Sequence, residues 1–383
     1  MLSIVCRRLT LIALLLAVAC ASTPIRQTPL PSPLISPLST LTLTATPALT
    51  PTPTSFPAIT PTSLPTAIPT PVGIAPPPGL IYRTDNGLWR IEASGQAVQL
   101  LDQPGAILSP DGTRALYPKG YPVADELWLV DLTTGQQRNL ITNHDRLLCC
   151  IQWWLARPNV ILFGSWPMDS WEPSTGFLTA VEIDSGEMQV LDEKGSSYGT
   201  FAPSPDGQTI AYDRGGQAWL YEWNGKLTLF NPTRYGLSNI QRIASPSWSP
   251  NGKRIAWIAG GNFDSVWKVG IAIFDLEKRT GRWLHPYEPV GRGGWFSAAS
   301  WSPDGRWLAF IAEDQVPSKQ GTWVVRVDTQ EEHAIPLGLP RVWSADGQWL
   351  ISGSALIEVG TWRTQQLALP QGAEVVGWVT LPK

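Results

Sequence analysis

A short turn motif recurs from Ser109 onwards, and it constrains the fold of the chain more than any other feature. The first copy is Ser109-Pro110-Asp111-Gly112, and a fuller copy is Trp301-Ser302-Pro303-Asp304-Gly305. Further copies begin at Ser204, Ser249 and Ser344, and a degenerate copy has Leu155 at the serine position. Successive serine positions are 42 to 53 residues apart. Self-similarity at such a period indicates a propeller or a solenoid.

Each repeat has the composition of a small β-sheet. Proline fixes one φ, Asp or Asn bonds nearby amides, and glycine accepts a positive φ, so the motif predicts a tight turn between two apolar strands. A third and a fourth strand follow, joined by turns such as Thr134-Gly135 or Asn224-Gly225. Four strands per repeat without helical periodicity predict an all-β fold, the β-propeller, with one blade per repeat.

The two ends of the repeat region each supply part of a blade. Residues 80–101 contain three strand-like runs without a first strand, and residues 374–379 look like a first strand without successors. Pairing them would complete one more blade and remove two exposed sheet edges. We therefore predict seven four-stranded blades, one of them closed by N- and C-terminal strands, with six or eight blades as the alternatives.

The Ser-Pro-Asp-Gly copies resemble the repeats of the TolB-like, or WD40-like, bacterial propellers. The resemblance covers residues 79–383, although the Gly-His and Trp-Asp pairs of true WD40 repeats are absent. TolB has a separate N-terminal domain, whereas this chain has a proline-rich segment in that place. The resemblance implies a propeller that acts largely through protein contacts.

The first twenty residues have the pattern of an export signal. Arg7 and Arg8 precede an apolar run, Leu9 to Ala19, which is too short to span a bilayer. Leu16-Ala17-Val18-Ala19-Cys20 resembles a bacterial lipoprotein signal, which implies cleavage after residue 19 and lipidation of Cys20. Ordinary secretion with cleavage near Ala19 is the alternative. We expect an extracytoplasmic protein, lipid-anchored to the bacterial membrane at the cell surface or in the periplasm.

Residues 20–78 predict a disordered linker that follows the lipidated cysteine. Residues 21–78 contain 16 of the 36 prolines and one charged side chain, Arg26. Proline at this density prevents both helix and sheet from propagating. Glycosylation of the many threonines is left open. The expected domains are a signal peptide (1–19), the lipidated linker (20–78) and the propeller (79–383).

Composition and motifs indicate neither nucleic-acid binding nor a cofactor. The formal net charge is -3, whereas binding to phosphate backbones needs a basic surface. The three histidines lack metal-ligand spacing, so no metal, no cofactor and no catalytic residue are predicted. Residues 195–199 match Gly-x-Ser-x-Gly without the strand and helix that this hydrolase motif needs. The recurring motif aspartates are interpreted as turn residues.

Cys149 and Cys150 are adjacent in a predicted inner strand. Neighbouring side chains of a strand point to opposite faces, and adjacent cysteines can form only a strained disulfide. We therefore expect free, partly buried thiols, with a vicinal disulfide as the alternative.

The connections between strands predict a binding surface. Turns between first and second strands and between third and fourth strands are tight and share one face of a propeller. The other connections, such as residues 231–242 and 260–268, are predicted to be long and share the opposite face. Long loops on a rigid scaffold often carry function, and Trp, Tyr and Arg are common binding residues. The candidates are Trp166, Trp171, Arg234, Tyr235, Phe263, Trp267, Tyr287, Arg292 and Trp295. The alternative is that these aromatic side chains only pack the loops together.

Three functions are compatible with these patterns. The first is a monomeric, non-enzymatic module that binds a protein, a peptide or a glycan. The second is a carbohydrate-active lyase or hydrolase that uses loop carboxylates, with Asp169, Glu172, Asp264 and Glu288 as candidates. The third is a structural or sensory subunit of an envelope complex.

Overall fold

A computed structural model describes residues 73–119, 124–142, 146–167, 176–194, 200–288, 295–296, 299–313, 321–336, 338 and 340–379. These residues contain 29 strands and one 3-10 helix, Pro232–Tyr235, and no α-helix. No helix of this part of the chain is long and apolar enough to cross a bilayer. The predicted signal peptide, Cys20 and the linker up to residue 72 lie outside the described residues.

The strands form seven antiparallel sheets, which we number as blades 1 to 7. Blade 1 contains β1 (Leu80–Thr84), β2 (Gly87–Ile91), β3 (Ala97–Leu101) and the C-terminal β29 (Glu374–Trp378). Blade 2 contains β4 (Ile107–Leu108), β5 (Arg114–Lys119), β6 (Glu126–Asp131) and β7 (Gln137–Thr142). Blade 3 contains β8 (Arg146–Trp153), β9 (Val160–Pro167), β10 (Phe177–Glu182) and β11 (Met188–Asp192).

The remaining sheets follow the same order along the chain. Blade 4 contains β12 (Phe201–Pro203), β13 (Thr209–Arg214), β14 (Gln217–Glu222) and β15 (Leu227–Leu229). Blade 5 contains β16 (Ile240–Trp248), β17 (Arg254–Phe263), β18 (Val266–Asp275) and β19 (Thr280–Tyr287). The first strand of blade 6 has two segments, and the blade contains β20 (Trp295–Phe296), β21 (Ser300–Trp301), β22 (Trp307–Glu313), β23 (Gly321–Arg326) and β24 (Glu332–Ile335). Blade 7 contains β25 (Pro340–Trp343), β26 (Trp349–Ser352), β27 (Ala355–Glu358) and β28 (Thr364–Gln366).

The two ends of the repeat region close blade 1 as predicted. Strand β29 pairs with β1, with Leu80 opposite Trp378 and Arg83 opposite Glu374. The Arg83 guanidinium donates two hydrogen bonds to the Glu374 carboxylate, at 2.9 and 2.7 Å. The seven-bladed propeller that the TolB-like resemblance implied is therefore confirmed.

The apolar core is divided into seven clusters, and each lies between two neighbouring blades. Leu308 and Ile271, for example, belong to the cluster between blades 5 and 6. Leu80 of blade 1 and Val342 of blade 7 share another cluster, which closes the ring. Both faces of every blade are therefore buried against a neighbour, which explains the near-continuous apolar runs of the second and third strands.

The recurring motif forms a turn that satisfies its own polar groups. In the first copy the Ser109 hydroxyl donates to the Asp111 carboxylate at 2.6 Å and accepts the Arg114 N–H at 2.9 Å. The hydrogen bond from Ser109 holds the pKa of Asp111 below its usual value. The same serine contacts recur at Ser204, Ser249, Ser302 and Ser344, all of them buried. The motif aspartates thus hold the turn in place.

The degenerate copy is shifted by one residue from its predicted alignment. The Trp154 N–H donates to Val160 O and the Trp154 carbonyl accepts the Arg157 N–H, which is the backbone pattern of the serine in other copies. Leu155, which we had aligned with the serine, is 72% exposed. One extra residue in this turn moves the equivalence to Trp154, so the alignment at Leu155 is wrong.

The tryptophan that precedes the turn serine joins its blade to the preceding one. The indole N–H of Trp301 donates to Ser247 O at 3.1 Å, and that of Trp248 donates to Ala202 O at 3.0 Å. Trp153 makes the equivalent contact with Ile107 O. Each acceptor lies two residues before the turn serine, or its equivalent, of the preceding blade. The motif therefore fixes the spacing between blades as well as the turn.

Closure by β29 predicts a large effect of a C-terminal deletion. Removing residues 374–383 takes away one strand of blade 1, the ion-pair partner of Arg83, and the buried side chain of Val375. A buried aliphatic side chain alone contributes about 1.5–3 kcal/mol, against a typical total stability of about 5–15 kcal/mol. We expect the truncated chain to melt much earlier or to aggregate. Deletion of residues 21–72 is the control and should leave thermal melting unchanged; equal melting of all three chains would contradict closure by this strand.

Candidate functional site

The two ends of the ring differ in what they expose. We call the end with the turns between first and second and between third and fourth strands the turn face, and the opposite end the loop face. On the turn face, successive motif turns contact each other, since the positions of Gly252, Gly305 and Gly347 lie beside Pro205, Pro250 and Pro303. The motif hydroxyls and carboxylates of this face are already paired within their turns. The candidate residues are therefore sought on the loop face.

The segment 260–268 is a protruding hairpin and not the long loop that we predicted. Strands β17 and β18 have ten residues each, against four to eight for the second and third strands of the other blades. Their pairing continues to Phe263 opposite Val266. Only Asp264 and Ser265 form the turn, and both have a positive φ, as the two-residue hairpin turn requires. Blade 5 therefore extends beyond its neighbours on the loop face.

One side of this hairpin is attached to the core through Phe263. The ring of Phe263 meets that of Trp283 edge-on, with 5.0 Å between centroids. The Trp283 indole donates to Asn239 Oδ1 at 3.2 Å, and Trp283 packs on the cluster between blades 4 and 5. The Lys268 ammonium lies 5.2 Å from the Phe263 ring centroid. Phe263 thus holds the hairpin against the ring.

Two other candidates, Trp166 and Trp267, have indole rings that lie against glycines. Trp166 ends β9 and covers Gly164 of its own strand and Gly176 of the neighbouring segment. Trp267, near the start of β18, covers Gly260 of β17. Both side chains are partly buried, yet neither belongs to a core cluster or packs against one. The sequence analysis missed the three glycines, although the spacing Gly164-x-Trp166 was a usable signal.

Tyr235 and Tyr287 are packing residues, as the alternative interpretation held. Tyr235 stacks on Phe230 at 4.9 Å and lies 5.5 Å from Phe274, within the cluster between blades 4 and 5. Burial raises the pKa of the Tyr235 hydroxyl. Tyr287 ends β19 and packs against the cluster between blades 5 and 6. Arg234, which lies in the 3-10 helix, is exposed.

The other candidates are only partly covered by the structure. Trp171, Arg292, Asp169, Glu172 and the 195–199 segment lie outside the described residues, and Trp295 is described only as a member of β20. Of the two described carboxylates, Asp264 is at the hairpin tip and Glu288 follows β19. The described residues contain no group of three side chains able to hold a metal ion.

The first strand of blade 3 carries a feature that we predicted wrongly. Cys149 and Cys150 form a vicinal disulfide, whereas we expected free thiols. The register of β8 against β9 shifts between Cys149 and Gln152, and Cys150 has a φ of 57°. This irregularity breaks the alternation of side chains on which the expectation rested, so both sulfurs come to the same side.

Comparisons with known proteins identify similar folds only. No protein-family model matches the chain, and no curated protein does. TolB from Acinetobacter baumannii is 14% identical over 78% of this chain and 81% of its own, with a TM-score of 0.45. An oligogalacturonate lyase solved in complex with manganese is 13% identical over 74% of this chain and 83% of its own, with a TM-score of 0.52. An oligogalacturonate lyase from Vibrio parahaemolyticus is 14% identical over 71% and 79%, with a TM-score of 0.49. At these identities the similarity is one of fold.

Proposed function

We propose that this chain is a non-enzymatic binding module, which holds a protein, peptide or glycan ligand on the loop face of its propeller. The observation that carries the proposal is the unequal chemistry of the two faces. The hydroxyls and carboxylates of the turn motifs are engaged with each other, whereas the loop face has a protruding hairpin and aromatic rings outside the core. Aromatic side chains on a rigid scaffold are favourable anchors for a ligand because little conformational entropy is lost on binding.

We also propose that the module is displayed outside the cytoplasm on a lipid anchor. The support is the apolar run that ends in Ala17-Val18-Ala19-Cys20 and the proline-rich segment after it. Two or more acyl chains, at about 0.8 kcal/mol per buried methylene, hold a protein stably at a bilayer. A proline-rich linker would lift the propeller away from the surface and leave the loop face accessible.

The binding proposal predicts that shortening the hairpin of blade 5 abolishes ligand capture. Replacing residues 262–267 by Asn-Gly closes the hairpin at the Gly261–Lys268 pair with a two-residue turn, and removes Phe263 and Trp267. We expect the full-length variant to keep its melting temperature, because these residues lie outside the core clusters. Capture of ligand from envelope extract by the immobilised protein should fall at least tenfold.

Turn-face variants are the controls for this experiment. Thr134→Ala and Lys226→Ala change exposed residues of turns between third and fourth strands and should capture as the unaltered chain does. A ligand retained in full by the shortened hairpin would place binding elsewhere and contradict the proposal.

The anchoring proposal predicts the location of a Cys20→Ser variant. Without the thiol no acyl chain can be attached at this position, so the protein should move from the membrane fraction to the soluble extracytoplasmic fraction. The measurement is an immunoblot of fractions after a high-salt wash. Retention of the variant in the washed membrane would contradict a lipid anchor at Cys20.

A further inference from the structure

Gly260 is needed for the space that it leaves above β17. Its φ is outside the positive range, so its backbone conformation does not require glycine. A Cβ at this position would lie 2.5 Å from Cζ2 and 3.0 Å from Cη2 of Trp267. Any larger residue would therefore lift the indole ring away from the strand. Glycine here lets the ring lie directly on the sheet.

Trp166 of blade 3 repeats this arrangement on two glycines. A Cβ at Gly164 would lie 3.0 Å from Cη2 and Cζ3 of the indole, and one at Gly176 would lie 2.8 Å from its Cε2 and Nε1. The contacts reach both rings of the indole, so the side chain covers the sheet with its full length. Gly164 and Gly176 also lack a positive φ.

Neither ring has a partner in the described part of the chain that would explain its placement. Trp166 and Trp267 make no aromatic pair or indole hydrogen bond with the described residues. Trp323 is a useful contrast, because it also lies near a glycine, Gly321, but its ring packs at 4.6 Å from that of His285. Trp323 is therefore a packing residue, whereas Trp166 and Trp267 are held in place without closing the core.

We infer that Trp166 and Trp267 are platforms on which the sugar rings of a neutral carbohydrate stack; this inference rests on the proposed function and names its ligand class. The face of an indole ring is electron-rich and attracts the weakly positive C–H groups of a pyranose face. A ring that is fixed before binding loses little entropy when the ligand arrives. Asn262, opposite Trp267 in the hairpin, and Ser265 at its tip supply polar groups for hydroxyls.

The distribution of exposed apolar side chains favours a carbohydrate over a protein partner. A protein interface needs a contiguous apolar centre. Among the described residues, the large exposed apolar side chains lie mostly on fourth strands or turn-face turns, and Val266 is the one in the hairpin; the others are Ile74, Val98, Leu155, Met188, Val190, Leu227 and Leu229. Isolated aromatic rings with polar neighbours fit sugar rings better than they fit a protein surface.

Charge favours a neutral carbohydrate over an acidic one. The chain has a formal net charge of -3. On the loop face, Arg83 is paired with Glu374 and Arg214 with Asp192, while Lys268 lies over the ring of Phe263. These contacts already use the cations that a uronate or sulfate group would need.

Affinity gel electrophoresis of the full chain with Cys20→Ser tests the inference. The probes are soluble β-glucan, xylan, mannan and galactan, with polygalacturonate as the acidic comparison. We expect at least one neutral polysaccharide to retard the protein, with a dissociation constant at least tenfold weaker in Trp267→Ala or Trp166→Ala. Gly260→Val should have the same effect as Trp267→Ala, because it displaces the ring and keeps the tryptophan.

Trp362→Ala is the matched control, since Trp362 lies on the turn face and stacks on His333. It should be retarded as the unaltered chain is, and circular dichroism should show that every variant is folded. Absence of retardation by all neutral polysaccharides would overturn the inference, as would retardation that both platform variants retain. If capture from envelope extract still depends on the hairpin in that case, the binding function stands and only its ligand class is wrong.

Discussion

The ring depends on one repeated interaction, the hydrogen bond from a motif indole to the first strand of the preceding blade. Trp153, Trp248 and Trp301 each donate to a carbonyl two residues before the preceding turn serine or its equivalent. The indole also fills the seam between two sheets, so one side chain sets both the distance and the rotation between blades. Because each repeat places the next in the same way, the ring closes after seven blades, and β29 has only to complete blade 1.

The fold could be predicted because its determinants are local. The Ser-Pro-Asp-Gly turn requires particular dihedral angles, and those requirements are visible in four contiguous residues. Closure was predictable for a related reason: the strand-like runs at 80–101 and 374–379 were incomplete in complementary ways. The degenerate turn was misaligned by one residue because Trp154 takes the backbone place of a serine without sharing its chemistry.

The candidate site was less predictable because it depends on register and on contacts between blades. The disulfide at Cys149 follows from a shift in pairing that only the partner strand defines. Phe263 and Tyr235 are similar residues in similar segments, but one fastens an extended hairpin and the other fills the seam between blades 4 and 5. Trp166 and Trp267 differ from the packing tryptophans mainly in the glycines beneath them. A rigid ring with saturated turns on one side thus leaves the opposite side for recognition.

The most direct test of this account compares two tryptophans at equivalent motif positions. Trp301 and Trp343 are 8% and 9% exposed, but only the indole of Trp301 has a hydrogen-bond partner among the described residues. Both Trp→Phe changes remove similar buried surface, so their difference isolates the bond between blades. In equilibrium urea denaturation, Trp301→Phe should lower the free energy of unfolding by at least about 1 kcal/mol more than Trp343→Phe. Equal losses would show that the indole–carbonyl bond does not hold the ring.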